Sequence, residues 1–264
     1  MDLELRNKVA LVTGASRGIG RAIAGGLAAE GARLALVARS TDALNQTASE
    51  IGRECSVEVL AVPADLSSST GVAEAVASVH ARFGRIDILV NNAGAIGSGG
   101  FLEMADEKWV QDWALKPLGF VRMARAVFPI MSAQGGGRII NIAGVAARNP
   151  RHTYLAGGAA NAALVNFTKG LAELGAPENI LVTAVSPGPI MTARRELQLE
   201  QEAQAEGLSI RQAREALEAT QPLGRMAQPE DVADLVCFIV SARASFLTGI
   251  CVTIDGGASR GVYQ

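Results

Sequence analysis

The sequence carries no surplus of positive charge and no cluster of basic residues. Its 24 Lys and Arg stand against 26 Asp and Glu, which gives a formal net charge of −2. Proteins that bind a phosphate backbone need basic patches, so we expect no nucleic-acid partner. No apolar run reaches the roughly 18 residues of a membrane-spanning helix, and the N-terminus has no basic segment followed by an apolar stretch. We therefore expect no membrane partner and a cytoplasmic location.

Cysteine is also scarce. There are three cysteines, an odd number, and they lie far apart in apolar segments, at Cys55, Cys237 and Cys251. This spacing favours reduced, buried thiols in a reducing compartment over disulfide bonds. We expect neither a disulfide nor a metal site.

Seven short apolar runs recur along the chain, separated by segments of helical periodicity. The runs are KVALVT, RLALVA, VEVLAV, DILVNN, RIINIA, ILVTAV and ICVTID. Alternation of this kind predicts βαβ units, in which helices cover both faces of a parallel sheet. Because no repeat or linker interrupts the pattern, we expect residues 1–264 to form one α/β domain, a doubly wound three-layer sandwich around a seven-stranded parallel sheet.

One segment near the C-terminal end departs from this alternation. Residues 193–221, between the last two predicted strands, are polar, charged and helical in pattern. They form either a solvated pair of helices or a lid over a substrate pocket.

A glycine-rich turn follows the first predicted strand and opens the first helix. It reads TGASRGIG, residues 13–20. Glycines let the backbone approach a pyrophosphate, and the N-terminus of a helix supplies free N–H groups that hold it. The spacing T-G-x-x-x-G-x-G resembles that of the short-chain dehydrogenase/reductase family, which implies a Rossmann-type fold. The candidate cofactor-binding residues in this turn are Gly14, Ser16, Arg17, Gly18, Ile19 and Gly20.

Two motifs in the first half of the chain extend the resemblance. Asp65 in VPADLSS resembles the acid of the family that bonds the adenine amino group, and Leu66 lies beside it. The motif NNAG, residues 91–94, resembles the turn that supports the adenine ribose and stabilises the centre of the sheet. The resemblance implies cofactor-binding roles there for Asn91, Ala93 and Gly94.

Two motifs in the second half of the chain add to the resemblance. SPGPIMT, residues 186–192, resembles the segment that holds the nicotinamide end, and DGG, residues 255–257, resembles the ending of the last strand. The first implies contacts from Pro187, Gly188, Ile190 and Thr192. The resemblance also implies a homotetramer or homodimer, built on the helix that carries Trp109 and Trp113 and on the helix that carries Asn161. The two Trp residues could equally be core residues at i, i+4 spacing.

Charge at the end of the second strand bears on which nicotinamide cofactor is bound. An acidic residue there would bond the ribose hydroxyls of NAD and repel a 2′-phosphate, but the sequence has Ala38 followed by Arg39. Arg17 would add a second guanidinium near the same ribose, and two such groups suit a phosphate. Either arginine could instead be an ordinary solvated side chain. We expect NADP as the cofactor in preference to NAD.

The usual catalytic residues of the family are missing. The resemblance implies a Ser after the fifth strand, a Tyr with a Lys four residues later on the next helix, and an Asn on the preceding helix. The segment GGAANAALVNFTK, residues 157–169, places Gly157 at the Tyr position and Asn161 at the Lys position. Gly144 then falls at the Ser position and Lys116 at the Asn position.

Two of the lost groups reappear in exchanged positions. Lys116 stands where the family has Asn, and Asn161 stands where it has Lys, so that an amine and an amide are both kept. Tyr154 offers a hydroxyl nearby. We hypothesise that Tyr154 donates the proton, that Lys116 lowers the pKa of Tyr154 or polarises the substrate directly, and that Asn161 orients cofactor or water.

The position of Tyr154 depends on where its helix begins. A start near Thr153, acting as the N-cap, puts Tyr154 and Asn161 on one face about 10 Å apart along the axis. Alternatively, Gly157 and the glycine after it mark a loop, and the helix begins later. Tyr154 could also be a packing residue and Lys116 a solvated one, and we expect His152 to be an exposed loop residue.

These features predict an NADP-dependent oxidoreductase. It would transfer hydride between the nicotinamide and the carbonyl or secondary alcohol of a small-molecule substrate, through a rearranged active site. The alternative is a catalytically silent NADP(H)-binding sensor or regulatory protein on the same scaffold.

Overall fold

A parallel sheet of seven strands forms the centre of the molecule. The computed structural model describes residues 1–94 and 96–260. The strands are β1 (Val9–Thr13), β2 (Arg33–Ala38), β3 (Val59–Pro63), β4 (Ile88–Asn91), β5 (Gly137–Ile142), β6 (Ile180–Pro187) and β7 (Cys251–Ile254). Their order across the sheet is β3-β2-β1-β4-β5-β6-β7, and all the pairs are parallel. All seven apolar runs of the sequence therefore form strands, and the expected doubly wound α/β sandwich is confirmed.

Nine α-helices connect and cover the strands within the described residues. They are α1 (Gly18–Ala29), α2 (Thr41–Cys55), α3 (Ser69–Phe83), α4 (Asp106–Leu115), α5 (Pro117–Ala133), α6 (Leu155–Gly175), α7 (Ala193–Glu206), α8 (Ile210–Ala219) and α9 (Pro229–Val240). Because strands covered on both faces lose all contact with water, they read as continuous apolar runs. Strand β1, VALVT, is buried at every position.

The two faces of the sheet support separate cores. Alternate residues of β1 point to opposite faces, so Ala10 and Val12 belong to one core while Val9 and Leu11 belong to the other. The first core is completed by α1, α2 and α9, and the second by α3, α5 and the C-terminal part of α6. The strand order reverses between β1 and β4, and the helices α1 and α5 that follow these strands pack on opposite faces of the sheet. A ligand crevice is expected at this point of a doubly wound sheet.

The polar segment between β6 and β7 forms the helices α7 and α8. They pack on each other through a small apolar cluster of Leu199, Ala203, Ala213, Met191 and Met226. Thr192 caps α7 by accepting a hydrogen bond from the N–H of Arg195, and Ser209 with Gln212 forms a capping box on α8. These local signals explain why a segment with few apolar residues is nevertheless helical.

The cysteines are all free thiols, as expected. Cys237 is buried, whereas Cys55 and Cys251 are only half-buried, so the expectation of three buried thiols is wrong for two of them. Over residues 1–94 and 96–260, no helix is long and apolar enough to cross a membrane, and no group of His, Cys, Asp or Glu is arranged to hold a metal ion.

Candidate active site

A cavity of about 820 Å³ opens beyond the carboxyl ends of the central strands. Residues from the glycine turn, from the loops after β4, β5 and β6, and from the C-terminal segment line it. They include Ile19, Asn92, Gly94, Lys116, Gly144, Tyr154, Asn161, Pro187 and Gly188. The cavity therefore joins four predicted cofactor-binding residues with all three predicted catalytic residues.

The glycine turn is held tightly against the loop that follows β4. Gly14 has φ +65°, in the left-handed region that favours glycine. A Cβ on Gly20 would lie 2.4 Å from the carbonyl oxygen of Gly14, so no larger residue fits there. The Nδ2 of Asn92 donates to the carbonyls of Thr13 at 3.0 Å and Gly14 at 3.3 Å. Asn92 is a site residue that the sequence analysis did not single out, although it lies inside the NNAG motif.

The other predicted cofactor-binding residues differ in how far they are buried. Ser16, Gly18, Ala93 and Thr192 are partly buried near the turn, and Arg17, Arg39 and Asp65 are exposed. Leu66, Ile190 and Asn91 are buried in the protein. The Nδ2 of Asn91 donates to Oδ1 of Asn141 at 3.0 Å, and Asn141 in turn donates to Thr168 at 2.9 Å. Asn91 thus stabilises the sheet centre with its side chain, which leaves only its backbone for the predicted contact with cofactor.

Arg39 and Asp65 lie close together at the ends of β2 and β3. The pKa of Asp65 is lowered chiefly by hydrogen bonds from the backbone N–H and hydroxyl of Ser67, and the positive charge of Arg39 lowers it further. The pairing of Ala38 with Pro63 in adjacent parallel strands explains this proximity. A guanidinium and a carboxylate therefore flank the place where the family binds the adenosine part of its cofactor.

Lys116 lies at the junction between α4 and α5. Lys116 is at once the C-cap residue of α4 and the N-cap residue of α5, and Pro117 takes the first position of α5, where a missing N–H costs no hydrogen bond. The Lys116 side chain is only 8% exposed, and its Nζ donates to the carbonyl oxygen of Ala143 at 3.0 Å. Burial lowers the pKa of Lys116 to about 8. The alternative of a solvated lysine is therefore wrong.

Asn161 occupies the space beside Gly144. It is 3% exposed, and a Cβ on Gly144 would lie 3.0 Å from Nδ2 of Asn161. Its Oδ1 is buried and accepts no hydrogen bond within the part of the chain that the structure describes. An unpartnered buried acceptor costs free energy unless a ligand or water supplies the donor. Asn161 therefore holds an unpartnered acceptor in the wall of the cavity.

The ring of Tyr154 fills the position that a side chain at residue 157 would occupy. A Cβ on Gly157 would lie 1.9 Å from Cζ of Tyr154. The ring is partly buried against Ile96, Ala156 and Ala160. The ring of Tyr154 thus occupies the side-chain position of residue 157, which the resemblance aligns with the catalytic tyrosine of the family. Tyr154 lines the same cavity as Lys116.

The start of this helix differs from the expectation. Residues 152–154 form a short 3₁₀ turn, and α6 begins at Leu155 with Tyr154 as the N-cap residue. Thr153 is therefore not the N-cap of α6. Gly157 and Gly158 lie within the helix and do not mark a loop. His152 is exposed, as expected.

Burial is the largest influence on the Tyr154 phenol. It raises the pKa, the nearby Arg194 lowers it, and Asp112 raises it again, with a net upward shift. The phenol therefore keeps its proton at neutral pH. The expectation that Lys116 lowers the pKa of Tyr154 is wrong, because the cation that acts on this phenol is Arg194.

The chain is similar over nearly its whole length to known proteins. A family model described as enoyl-(acyl carrier protein) reductase matches residues 14–259. The chain is 34% identical over 257 residues to the 3-oxoacyl-(acyl-carrier-protein) reductase of Aquifex aeolicus (strain VF5), covering 97% of this chain and 99% of that protein. It is 34% identical over 258 residues to the 2,3-dihydro-2,3-dihydroxybenzoate dehydrogenase of Bacillus subtilis (strain 168), covering 98% of each.

A solved structure shares the fold throughout. The crystal structure of L-sorbose reductase from Gluconobacter frateurii, complexed with NADPH and L-sorbose, has a TM-score of 0.96 at 37% identity. The match covers 99% of this chain and 100% of that chain.

The sheet order, the glycine turn and the cavity at the strand ends define a dinucleotide-dependent oxidoreductase of the Rossmann type. The chain belongs to the short-chain dehydrogenase/reductase family. It is an enzyme of the class that acts on CH–OH and C=O groups with NAD(P).

The buried charge of Lys116 gives a stability prediction. In the folded protein Lys116 is charged below about pH 8, and the desolvation cost, on the order of 3 kcal/mol, is then complete. Above about pH 8 Lys116 is neutral in the folded protein, while in the unfolded chain it stays charged up to its ordinary pKa of 10.5. The destabilisation therefore becomes smaller as pH rises toward 10.5, where the unfolded chain also loses the proton. Lys116→Met should raise the free energy of unfolding by roughly 1–3 kcal/mol near pH 7, and by less near pH 10.

Urea denaturation of both proteins at the two pH values measures this difference. Lys169→Met, at an exposed position of α6, is the matched control and should change stability little at either pH. A Lys116→Met variant that is less stable than the parent near neutral pH would contradict the assigned burial cost.

Proposed function

We propose that this enzyme is an NADP-dependent oxidoreductase that interconverts a carbonyl and a secondary alcohol through a rearranged proton-transfer site. The observation that carries the proposal is the overlap of the Tyr154 ring with the side-chain position of Gly157, in a cavity that Lys116 and Asn161 also line. A phenol, an ammonium and an amide thus line one cavity, and this supports an active site built from these three groups.

The residues around the cavity fit a dinucleotide. The turn of Gly14 and Gly20 brings the backbone and the N-terminus of α1 to the place where a pyrophosphate binds. The free Oδ1 of Asn161 suits a ribose hydroxyl or an ordered water as donor. The reduced nicotinamide supplies the hydride when it is bound.

In this proposal Lys116 stabilises the negative charge that develops on the substrate oxygen. Its ammonium has three N–H donors, and the carbonyl of Ala143 takes one of them. The others remain for the oxygen of the substrate. A charge in a water-poor cavity acts more strongly than the same charge in solvent, and it is already in place before the reaction begins.

Tyr154 supplies the proton in the same step. Because burial raises the pKa of its phenol, the group is protonated at neutral pH and can donate to the oxygen as the C–H bond forms. Arg194 opposes the rise, so the phenolate that remains after donation has a nearby positive charge. In the oxidative direction the same phenolate accepts the proton from the alcohol.

The preference for NADP rests on the charge at the end of β2. Arg39 is exposed beside Asp65, and Arg17 is exposed at the N-terminus of α1, so both guanidinium groups are free to approach a 2′-phosphate. The structural relative L-sorbose reductase was crystallised with NADPH.

The polar segment of residues 193–221 also reaches the cavity. Its last two residues, Thr220 and Gln221, follow α8 and form part of the cavity wall. Their position supports a lid role for this segment.

The proton-transfer proposal predicts the effect of removing one oxygen. Tyr154→Phe keeps the ring above Gly157 but removes the donor, and kcat/KM for carbonyl reduction should fall roughly 10²- to 10⁴-fold. The dissociation constant for NADPH, measured by fluorescence titration, should change by less than about threefold. His152→Ala, an exposed neighbour in the same 3₁₀ turn, is the control and should keep full activity.

Full activity of Tyr154→Phe would refute the mechanism. If the parent protein binds NADPH but turns over no aldehyde, ketone or alcohol in a broad panel, the silent sensor would be the correct function.

The cofactor proposal is tested at Arg39. Arg39→Gln should raise the KM for NADPH about tenfold or more and change the KM for NADH by less than about threefold, because only the phosphate loses its charged partner. Arg53→Gln, near the opposite end of α2, is the matched control. Equal effects of Arg39→Gln on both cofactors would contradict a phosphate contact.

A further inference from the structure

The residues that line the cavity carry more positive than negative charge. The charged residues that line it within the described parts of the chain are Lys116, Arg151, Arg260 and Asp255. Three cations thus face one carboxylate. Such an imbalance raises the local concentration of anions and lowers that of cations.

The single carboxylate is already engaged by the backbone of the C-terminal segment. Asp255 accepts hydrogen bonds from the N–H of Gly257 at 3.0 Å and the N–H of Ser259 at 2.8 Å. Although burial raises the pKa of this carboxyl, the hydrogen bonds outweigh burial, and the net shift is downward. Asp255 is therefore a charged structural group that holds the segment forming one wall of the cavity.

Arg151 is held next to the proposed proton donor. Its carbonyl accepts the N–H of Tyr154 at 2.9 Å, which closes the 3₁₀ turn. Arg151 lies three residues before Tyr154, and both residues line the same cavity. Arg151 is exposed, and in residues 1–94 and 96–260 no carboxylate lies within ion-pair distance of it. Its guanidinium is free to bind a ligand.

We infer that the substrate is an oxo acid, or the corresponding hydroxy acid, whose carboxylate is bound by Arg151. The inference rests on the proposed function, because it takes the reacting carbonyl to lie at Tyr154 and Lys116. A guanidinium matches a carboxylate with two parallel hydrogen bonds, and one unpaired guanidinium balances one such charge. The carboxylate and the reacting carbonyl can belong to one small molecule, since Arg151 and Tyr154 line the same cavity three residues apart in the chain.

The test compares acids with their neutral esters. Reduction by NADPH is measured for pyruvate, acetoacetate, levulinate and benzoylformate, each beside its methyl ester, in the parent enzyme and in Arg151→Met. For at least one pair the parent should favour the acid about tenfold or more in kcat/KM. Arg151→Met should remove that preference while changing kcat/KM for the ester by less than about threefold. Arg151→Lys should keep part of the preference for the acid, because the lysine retains the positive charge. The control His152→Ala should keep the full preference of the parent.

Two outcomes separate this inference from the proposed function. The carboxylate site would be overturned if the parent reduced the esters as well as the acids, or if Arg151→Met lowered kcat/KM equally for both. In either case the oxidoreductase proposal would stand. If the parent reduces nothing, calorimetric titration of levulinate and acetoacetate into the NADP⁺-saturated protein decides the question. Binding that Arg151→Met abolishes supports the site, and no binding or equal binding overturns it.

Discussion

A lysine charge buried without a carboxylate partner is the constraint on which the site depends. Desolvation is the cause of the lowered pKa of Lys116, and the one hydrogen bond recorded for its Nζ in the described parts of the chain is to the carbonyl of Ala143. A group of this kind works against folding, since burial disfavours its charged form. Charges placed in this way concentrate at functional sites, where the fold tolerates the cost. The buried charge of Lys116 is therefore the main support for the proposal that the cavity receives an anionic oxygen.

Two glycines provide the space that the proposed rearrangement needs. A Cβ on Gly144 would lie 3.0 Å from Nδ2 of Asn161, and one on Gly157 would lie 1.9 Å from Cζ of Tyr154. The resemblance to the family aligns these two glycines with its Ser and Tyr. Each of the two positions thus leaves room for a functional group from another residue. Random loss of catalytic residues would not be expected to produce such matched pairs.

Much of the fold and little of the site geometry could be predicted from the sequence. The strands are continuous apolar runs of the kind that buried parallel sheets require, and the glycine turn has a spacing set by local backbone needs. The exchange of Lys116 and Asn161 was visible only as a coincidence of alignment, because their common cavity is formed by elements far apart in the chain. The 3₁₀ turn before α6 was missed, since no capping side chain signals it. The network that holds the Asn91 side chain could not be predicted either, because Asn141 and Thr168 lie far from Asn91 in the chain.

The most direct measurement is a crystal structure of the ternary complex with NADP⁺ and a bound alcohol or a non-reacting carbonyl analogue. The account predicts that the phenolic oxygen of Tyr154 and Nζ of Lys116 both lie within hydrogen-bond distance, about 2.6–3.2 Å, of the substrate oxygen. Asn161 Oδ1 should accept from the nicotinamide ribose or from an ordered water. A substrate oxygen surrounded only by Gly144, Gly157 and solvent, with Tyr154 turned away, would contradict the rearranged site.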